Sequence, residues 1–308
     1  MNRLLPDDLR VQLNIERAAL RELGDTEDVA PDYLRFCGEL ARFHAHARAL
    51  IREARPVVAE DAGAHPSAER TRRLRPEAFV VDEAILRRLL GELETLARAS
   101  ASSGGHVTRL AEASASDATV LPNLVAAVAR GGGSAPALDA LSVQLGVEPV
   151  VLGYLGRLLA APVLAEARFR RGALPEYDAR NADPADAVHC PCCHAAPAVA
   201  ALGPEDGRRR FVCALCGETW IVPRVLCAFC GSRSGLATLR ASADEPRWVE
   251  TCDACGWYLK TVDLQRLPVH YAVLPIVEQA ATAHLDVIAE GAGYASLPPE
   301  ESTTTPLH

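Results

Sequence analysis

CPCCHAAPAVAALGPEDGRRRFVCALCGETWIVPRVLCAFCGSRSGLATLRASADEPRWVETCDAC, residues 190–255, decides how the rest of the chain is read. It holds four Cys-x-x-Cys pairs, Cys190/Cys193, Cys213/Cys216, Cys227/Cys230 and Cys252/Cys255. Nineteen residues separate Cys193 from Cys213, ten separate Cys216 from Cys227, and 21 separate Cys230 from Cys252. Consecutive pairs therefore group as two modules with the spacing of tetrathiolate metal sites, and the ten-residue gap is their joint. Interleaved pairing, first with third and second with fourth, would cross-brace the domain instead. Sequential pairing is favoured because a hairpin of about 20 residues closes with less entropy than a longer span.

A Cys-x-x-Cys turn points two thiolates at one ion while amides after the first Cys donate to its sulfur. Gly217, Gly231 and Gly256 follow the second Cys of three pairs, where the chain must turn back with φ > 0. His194 takes that place in the first pair. Two such knuckles facing across a small antiparallel sheet make a closed S4 shell, fit for structural zinc or for a single rubredoxin-type iron. The spacing does not separate the two metals.

A disulfide framework is the competing reading. The segment MNRLLPDDLRVQL at residues 1–13 lacks the basic and apolar regions of a secretory signal, so the expected compartment is cytoplasmic. Reducing cytosol favours metal over disulfides for such pairs. Two cysteines remain. Cys37 lies in PDYLRFCGELARFHAHARALI, residues 31–51, with Leu34, Ala41, His44 and Leu50 at helical spacing, and reads as a small buried apolar residue. Cys192, inside the first knuckle, is an incidental turn residue or an exposed accessory thiol open to oxidation. His189 and His194 flank that knuckle and read as groups beside a shell that four thiolates already fill.

Length suggests about two domains for 308 residues. Ahead of the cysteines, apolar stripes recur at helical spacing: Ile85, Leu86, Leu89, Leu90, Leu93 and Leu96, then Leu124, Val125 and Val128, then Leu152, Leu155, Leu158 and Leu159. Residues 60–75, 100–105 and 131–136 are too rich in Gly, Ser or Pro to continue helices. Residues 209–212 and 247–251 read as strands leading into ligands, and Trp220 and Trp257 as shields over a small metal-organised core. PIVEQAATAHLDVIAE, residues 275–290, reads as a last helix packing back on the first domain. The predicted fold class is α+β: an all-α domain at 1–183, ribbon modules at 184–226 and 227–270, and a C-terminal helix and tail at 271–308. No apolar run reaches the roughly 18 residues of a membrane-spanning helix, so no membrane insertion is expected.

The net charge is −8, and residues 186–270 carry nine acidic and nine basic side chains, so the excess lies outside the ribbons. A nucleic-acid-binding zinc ribbon needs a basic surface. Only Arg208, Arg209 and Arg210 cluster, and they read as a solvated loop. A thiol oxidoreductase needs one low-pKa thiolate at a helix start in a βαβ setting, unlike four glycine-turned knuckles. Phosphate-loop, nucleophile-elbow and His-Glu-x-x-His motifs are absent, so the expectation is a non-enzyme. A rubredoxin-like electron carrier stays open, although a large helical domain is superfluous to it.

The segments CPCCHAAP (190–197), RRRFVCALCGETWIVPRVLCAFCGS (208–232) and ETCDACGWYLKTVD (250–263) resemble the FdhE family of formate dehydrogenase accessory proteins. The order and spacing of all four pairs match, as do Trp220 after Cys216, Arg224 ahead of Cys227, and Tyr258-Leu259-Lys260. The resemblance is strongest over 188–263 and continues in the tail from Leu285-Asp286 to Gly293-Tyr294. In the helical half it lies in layout and in patches such as YLRFCGELARFHAHAR (33–48). Ile221 departs from an expected histidine, and Gly131 to Gly133 is a local elaboration. The resemblance implies a cytoplasmic, non-catalytic assembly factor acting on the catalytic subunit of respiratory formate dehydrogenase before twin-arginine export. It implies iron in two mononuclear tetrathiolate sites, with zinc the alternative: Cys190, Cys193, Cys213 and Cys216 at one, Cys227, Cys230, Cys252 and Cys255 at the other. Ribbons and helices would frame a groove for that subunit, and iron could make the ribbons oxygen sensors, beginning at Cys192.

Overall fold

Seven helices come before the first strand among the residues that this computed structural model describes, 5–26, 29–54, 81–98, 104–129, 135–170, 176–267 and 273–296. They are α1 (Asp7–Thr26), α2 (Pro31–Ala54), α3 (Glu83–Arg98), α4 (Gly104–Ser116), α5 (Val120–Ala129), α6 (Ala135–Leu145) and α7 (Pro149–Arg170). Local chemistry sets several ends. Asp7 and Asp8 in the first turn of α1 complement its dipole. Asp82 caps α3 by accepting from the Ala84 amide at 2.9 Å. Gly146, at φ +60°, ends α6, and Pro149 opens α7.

The apolar stripes read from the sequence lie in the core, where Leu86, Leu89, Leu124 and Leu152 are fully buried, and Leu110 and Leu121 join them. Two segments expected as loops are shorter than the sequence suggested. Gly104 and Gly105 belong to α4, and Ala135 and Pro136 to α6, because the first turn of a helix needs no amide partner and tolerates Gly and Pro. Residues 60–75 and Gly131 to Gly133 lie outside the described residues.

Helix α7 is apolar on most sides and runs through the core, crossing α5 at Gly156, where a Cβ would sit 2.7 Å from Val128 Cγ2. By length and composition it is long and apolar enough to cross a membrane, which corrects the expectation that no run is. Two-thirds of its most apolar window, 67%, is buried inside the protein. Its buried Glu166 binds Arg48 and Arg52 at 2.8 Å, and Arg52 reaches Asp8 at 2.8 Å, tying α1, α2 and α7 together.

The strands are β1 (Tyr177–Asp178), β2 (Pro197–Leu202), β3 (Arg209–Cys213), β4 (Thr219–Ile221), β5 (Leu236–Leu239), β6 (Arg247–Cys252), β7 (Trp257–Asp263) and β8 (Ala295–Ser296), with a one-turn helix α8 (Pro184–Ala187) before the first knuckle. Their order is β1-β4-β3-β2-β7-β6-β5, with β8 also on β7. Each ribbon is a knuckle, two antiparallel strands, a second knuckle and a third strand: β2-β3-β4, then β5-β6-β7. Parallel pairing of Ala200–Leu202 with Thr261–Asp263 joins them into one sheet.

The stretch 275–290, expected as one helix, is two: α9 (Pro275–Ala281) and α10 (Ala283–Gly291). Thr282 breaks them at φ −122°, ψ 22°, its hydroxyl turned back onto the Glu278 carbonyl. Val277, Ala280 and Ala281 of α9 pack with Leu20, Leu23 and Cys37 of the helical part. Leu285 and Ala289 of α10 pack instead on Val249 and Tyr258 of the second ribbon.

Candidate metal centres

All four knuckles share one backbone design. The first Cys amide bonds the carbonyl five residues on, from Cys190 to Ala195 at 2.9 Å, Cys213 to Glu218 at 2.8 Å and Cys227 to Ser232 at 2.7 Å, while Cys252 pairs with Trp257 in the β6–β7 ladder. Gly217, Gly231 and Gly256 stand at φ +69°, +71° and +73°. His194 stands at φ +65°, the one non-glycine with positive φ among the described residues, as its place in the first knuckle requires. Amides two residues after the first Cys donate to its sulfur at 3.4 Å, from Cys192, Leu215 and Phe229. Such donors favour a thiolate.

The sulfurs converge sequentially, Cys190, Cys193, Cys213 and Cys216 in one group and Cys227, Cys230, Cys252 and Cys255 in the other, each within 4.8 Å of its fellows. Sulfur separations between the two knuckles of a module are 3.6 Å for Cys190–Cys216, 3.4 Å for Cys193–Cys213, and 3.7 Å for both Cys227–Cys255 and Cys230–Cys252. A tetrahedron with metal–sulfur bonds of about 2.3 Å has edges of about 3.8 Å. A disulfide would need about 2.05 Å. The donor set fits one tetrahedral ion per group, and a tetrathiolate shell suits iron or zinc.

The thiols of each group perturb one another strongly. Burial pushes the Cys213 thiol up, but hydrogen bonds from Cys190, Cys193 and Cys216 outweigh it and hold the group well below the ordinary thiol range. Cys193 and Cys216 are raised well above that range, first by hydrogen bonding to Cys190. In the second group the hydrogen bond from Cys255 holds Cys227 down to about 5, burial pushes Cys230 up to about 11, and the bond to Cys227 raises Cys255 far above. Clustered thiols share negative charge poorly; a divalent ion would displace their protons.

The two groups differ in setting. Cys190, Cys193, Cys213 and Cys216 are 0, 3, 1 and 1% exposed and belong to the main core with Phe211 and Trp220. Trp220 meets Phe211 edge-on at 5.6 Å and donates its indole N–H to the Ala187 carbonyl at 2.8 Å. Arg168, from the end of α7, binds Glu218 beside the second knuckle at 2.9 Å. In the other group Cys227 and Cys252 are buried, Cys255 is half-buried and Cys230 is exposed. Trp257 is half-buried, so of the two tryptophans read as shields Trp220 alone is enclosed.

Cys192 is 1% exposed, which corrects the expectation of an exposed accessory thiol: the first knuckle turns inward onto the helical core. The exposed cysteine is Cys230. His189 and His194 stack at 4.2 Å beside the first knuckle, outside both sulfur groups. Cys37 is buried between α2 and α9, and Ile221 is a buried strand residue. Of the arginine cluster only Arg208 lies in an exposed loop, whereas Arg209 and Arg210 belong to β3. Arg210 pairs with Glu176 and Asp206 at 2.6 and 2.9 Å, and Arg208 with Asp206 at 3.5 Å.

Arg209 is buried and crosses the module boundary, a role that sequence reading missed. It ion-pairs with Glu250 of β6, and its Nη1 donates to the Leu226 carbonyl at 2.9 Å, one residue before Cys227. Strand alternation was the available signal, since Arg209 and Phe211 fall on one face of β3.

Over 111 residues, 35% of this chain, the sequence is 33% identical to Protein FdhE of Escherichia coli O1:K1, of Shigella boydii serotype 18 and of Escherichia fergusonii. The match spans 35% of the length of those curated relatives. The crystal structure of the FdhE protein from Pseudomonas aeruginosa is similar in fold, with a TM-score of 0.56 over 96% of both chains at 19% identity. No protein-family profile matches the chain. The resemblance to the FdhE family thus holds in sequence over part of the chain and in fold over nearly all of it.

Proposed function

We propose that this chain is an assembly factor of the FdhE type, acting in the cytoplasm on the catalytic subunit of respiratory formate dehydrogenase before that subunit is exported through the twin-arginine pathway. It holds the subunit while the cofactor and iron–sulfur cluster are put in place, and catalyses no reaction itself. The observation that carries this reading is the pair of tetracysteine groups in a sheet seated on a helical domain, the arrangement through which the chain resembles that family. Each group holds one iron ion, with Cys190, Cys193, Cys213 and Cys216 as one ligand set and Cys227, Cys230, Cys252 and Cys255 as the other. Bound metal would supply rigidity first, because a ribbon this small has little core of its own.

The docking face we assign is the part of α2 and α7 that carries two exposed tyrosines. Tyr33 of α2 and Tyr154 of α7 are 39 and 42% exposed there, with Asp286 of α10 within electrostatic reach of Tyr33. Partly exposed tyrosines suit a protein interface. An anaerobic pull-down with tagged chain should recover the catalytic subunit, and Tyr33→Ala with Tyr154→Ala should weaken recovery. Failure of the unaltered chain to recover the subunit would sink the proposal; recovery unchanged by the double substitution would move the docking face elsewhere.

A further inference from the structure

The two sulfur groups are built alike in backbone and differently in access. Every sulfur-bearing residue of the first is at most 3% exposed, under Trp220 and Phe211 and against the helical core. A reagent reaches those sulfurs only after that packing opens, which costs free energy before any chemistry begins. In the second group Cys230 is exposed and Cys255 half-buried, while Cys227 and Cys252 remain buried. Cys230 belongs to the third knuckle, whose inner side is closed: Gly231 lies so near Pro184 that a Cβ there would stand 3.1 Å from it. The side open to solvent is therefore the one that carries Cys230.

Resting on the reading that both groups hold an ion, we infer that the second centre is a ligand-exchange site, at which a small thiol replaces Cys230 on the metal, whereas the first is a permanent staple. The exchange involves no electron transfer. The entering thiol gives its proton to the Cys230 sulfur as the metal–Cys230 bond breaks, and its own sulfur takes the vacated position. Cys227, Cys252 and Cys255 keep the ion meanwhile, so the chain holds the metal while presenting one replaceable position. Soft ligands suit it: alkyl or peptide thiolates rather than carboxylates or amines.

The test uses full-length protein loaded with zinc and shown beforehand to carry two ions per chain. A chromogenic pyridylazo chelator is added with and without glutathione, and parallel samples are treated briefly with N-ethylmaleimide and mapped by mass spectrometry. One ion should leave at least about tenfold faster than the other, glutathione should accelerate that phase alone, and the first adduct should map to Cys230. Cys230→Ser should still hold two ions, the second on Cys227, Cys252 and Cys255, and should release that ion faster than the unaltered chain before any glutathione is added. Release of both ions at one rate, or a first adduct on Cys192 or a first-centre sulfur, overturns the inference. A starting content below two ions would instead refute the occupancy reading beneath it.

Discussion

Replacing Arg209 by methionine probes whether the first ribbon holds the second centre in place. The Arg209 side chain is 1% exposed, ion-paired with Glu250 and laid over the Phe211 ring at 4.6 Å. Its Nη1 also reaches the carbonyls of Leu226 and Pro223, at 2.9 and 3.4 Å. These partners sit next to ligands, since Leu226 precedes Cys227 and Glu250 lies two residues before Cys252. Methionine refills the stem and removes the charge. Hydrogen bonds to charged groups contribute about 1.5–3 kcal/mol each, and breaking a buried pair costs about 3–5 kcal/mol. The Glu250 side chain keeps 23% exposure and recovers some hydration, and Arg209 Nε makes no hydrogen bond, so the lower end applies. The expected loss is about 3 kcal/mol. Adding Glu250→Gln removes the stranded charge and should bring the loss back to about 1–2 kcal/mol, which is strong non-additivity. Urea unfolding of the metal-loaded protein measures both values. A single-variant loss below about 1 kcal/mol, or additive losses, would refute the clamp.

Three further outcomes follow from the same geometry. Gly231→Ala should cost about 1 kcal/mol more than Gly217→Ala in urea unfolding, because both stand at φ near +70° but only Gly231 has Pro184 against its would-be Cβ; equal costs would dismiss the Pro184 contact. His44, pushed down to about 4 by burial and then by Arg48, binds its proton in the unfolded chain near 6.5 but not in the folded one. Its stabilisation is thus complete above pH 6.5 and lost as pH falls toward 4, by about 1–2 kcal/mol at pH 5; His44→Gln should flatten that slope, and an unchanged slope assigns it elsewhere. Filling the second centre at pH 7 must displace protons at least from Cys230 and Cys255, which stand at about 11 and higher. Its apparent affinity should therefore fall by at least about 100-fold per unit of acidification in chelator competition, and a flat profile would show those thiols already ionised.

The ribbons were legible because their information is local. A Cys-x-x-Cys turn, the glycine that must follow it and the strand leading into it sit within ten residues of one another, so β3, β6 and the positive φ at Gly217, Gly231, Gly256 and His194 follow from neighbours in the chain. The helical stripes are legible for the same reason. Long-range choices were not. Nothing near Ala200 announces a parallel partner at Thr261, and the Arg209–Glu250 pair spans 41 residues. The difference between the two centres comes from which knuckles the helical domain covers, a tertiary fact that turned Cys192 inward and left Cys230 outside. The break at Thr282 escaped helical periodicity because the apolar spacing of α9 and α10 is nearly continuous while the two helices pack on different neighbours.

The most direct test of the account is metal analysis, with native mass spectrometry and a visible spectrum, on protein purified without oxygen and then exposed to air. Two ions per chain, both lost on alkylation of the eight paired cysteines, are predicted, with thiolate-to-iron(III) bands appearing after oxidation. A metal-free chain whose Cys-x-x-Cys pairs are recovered as disulfides would contradict it.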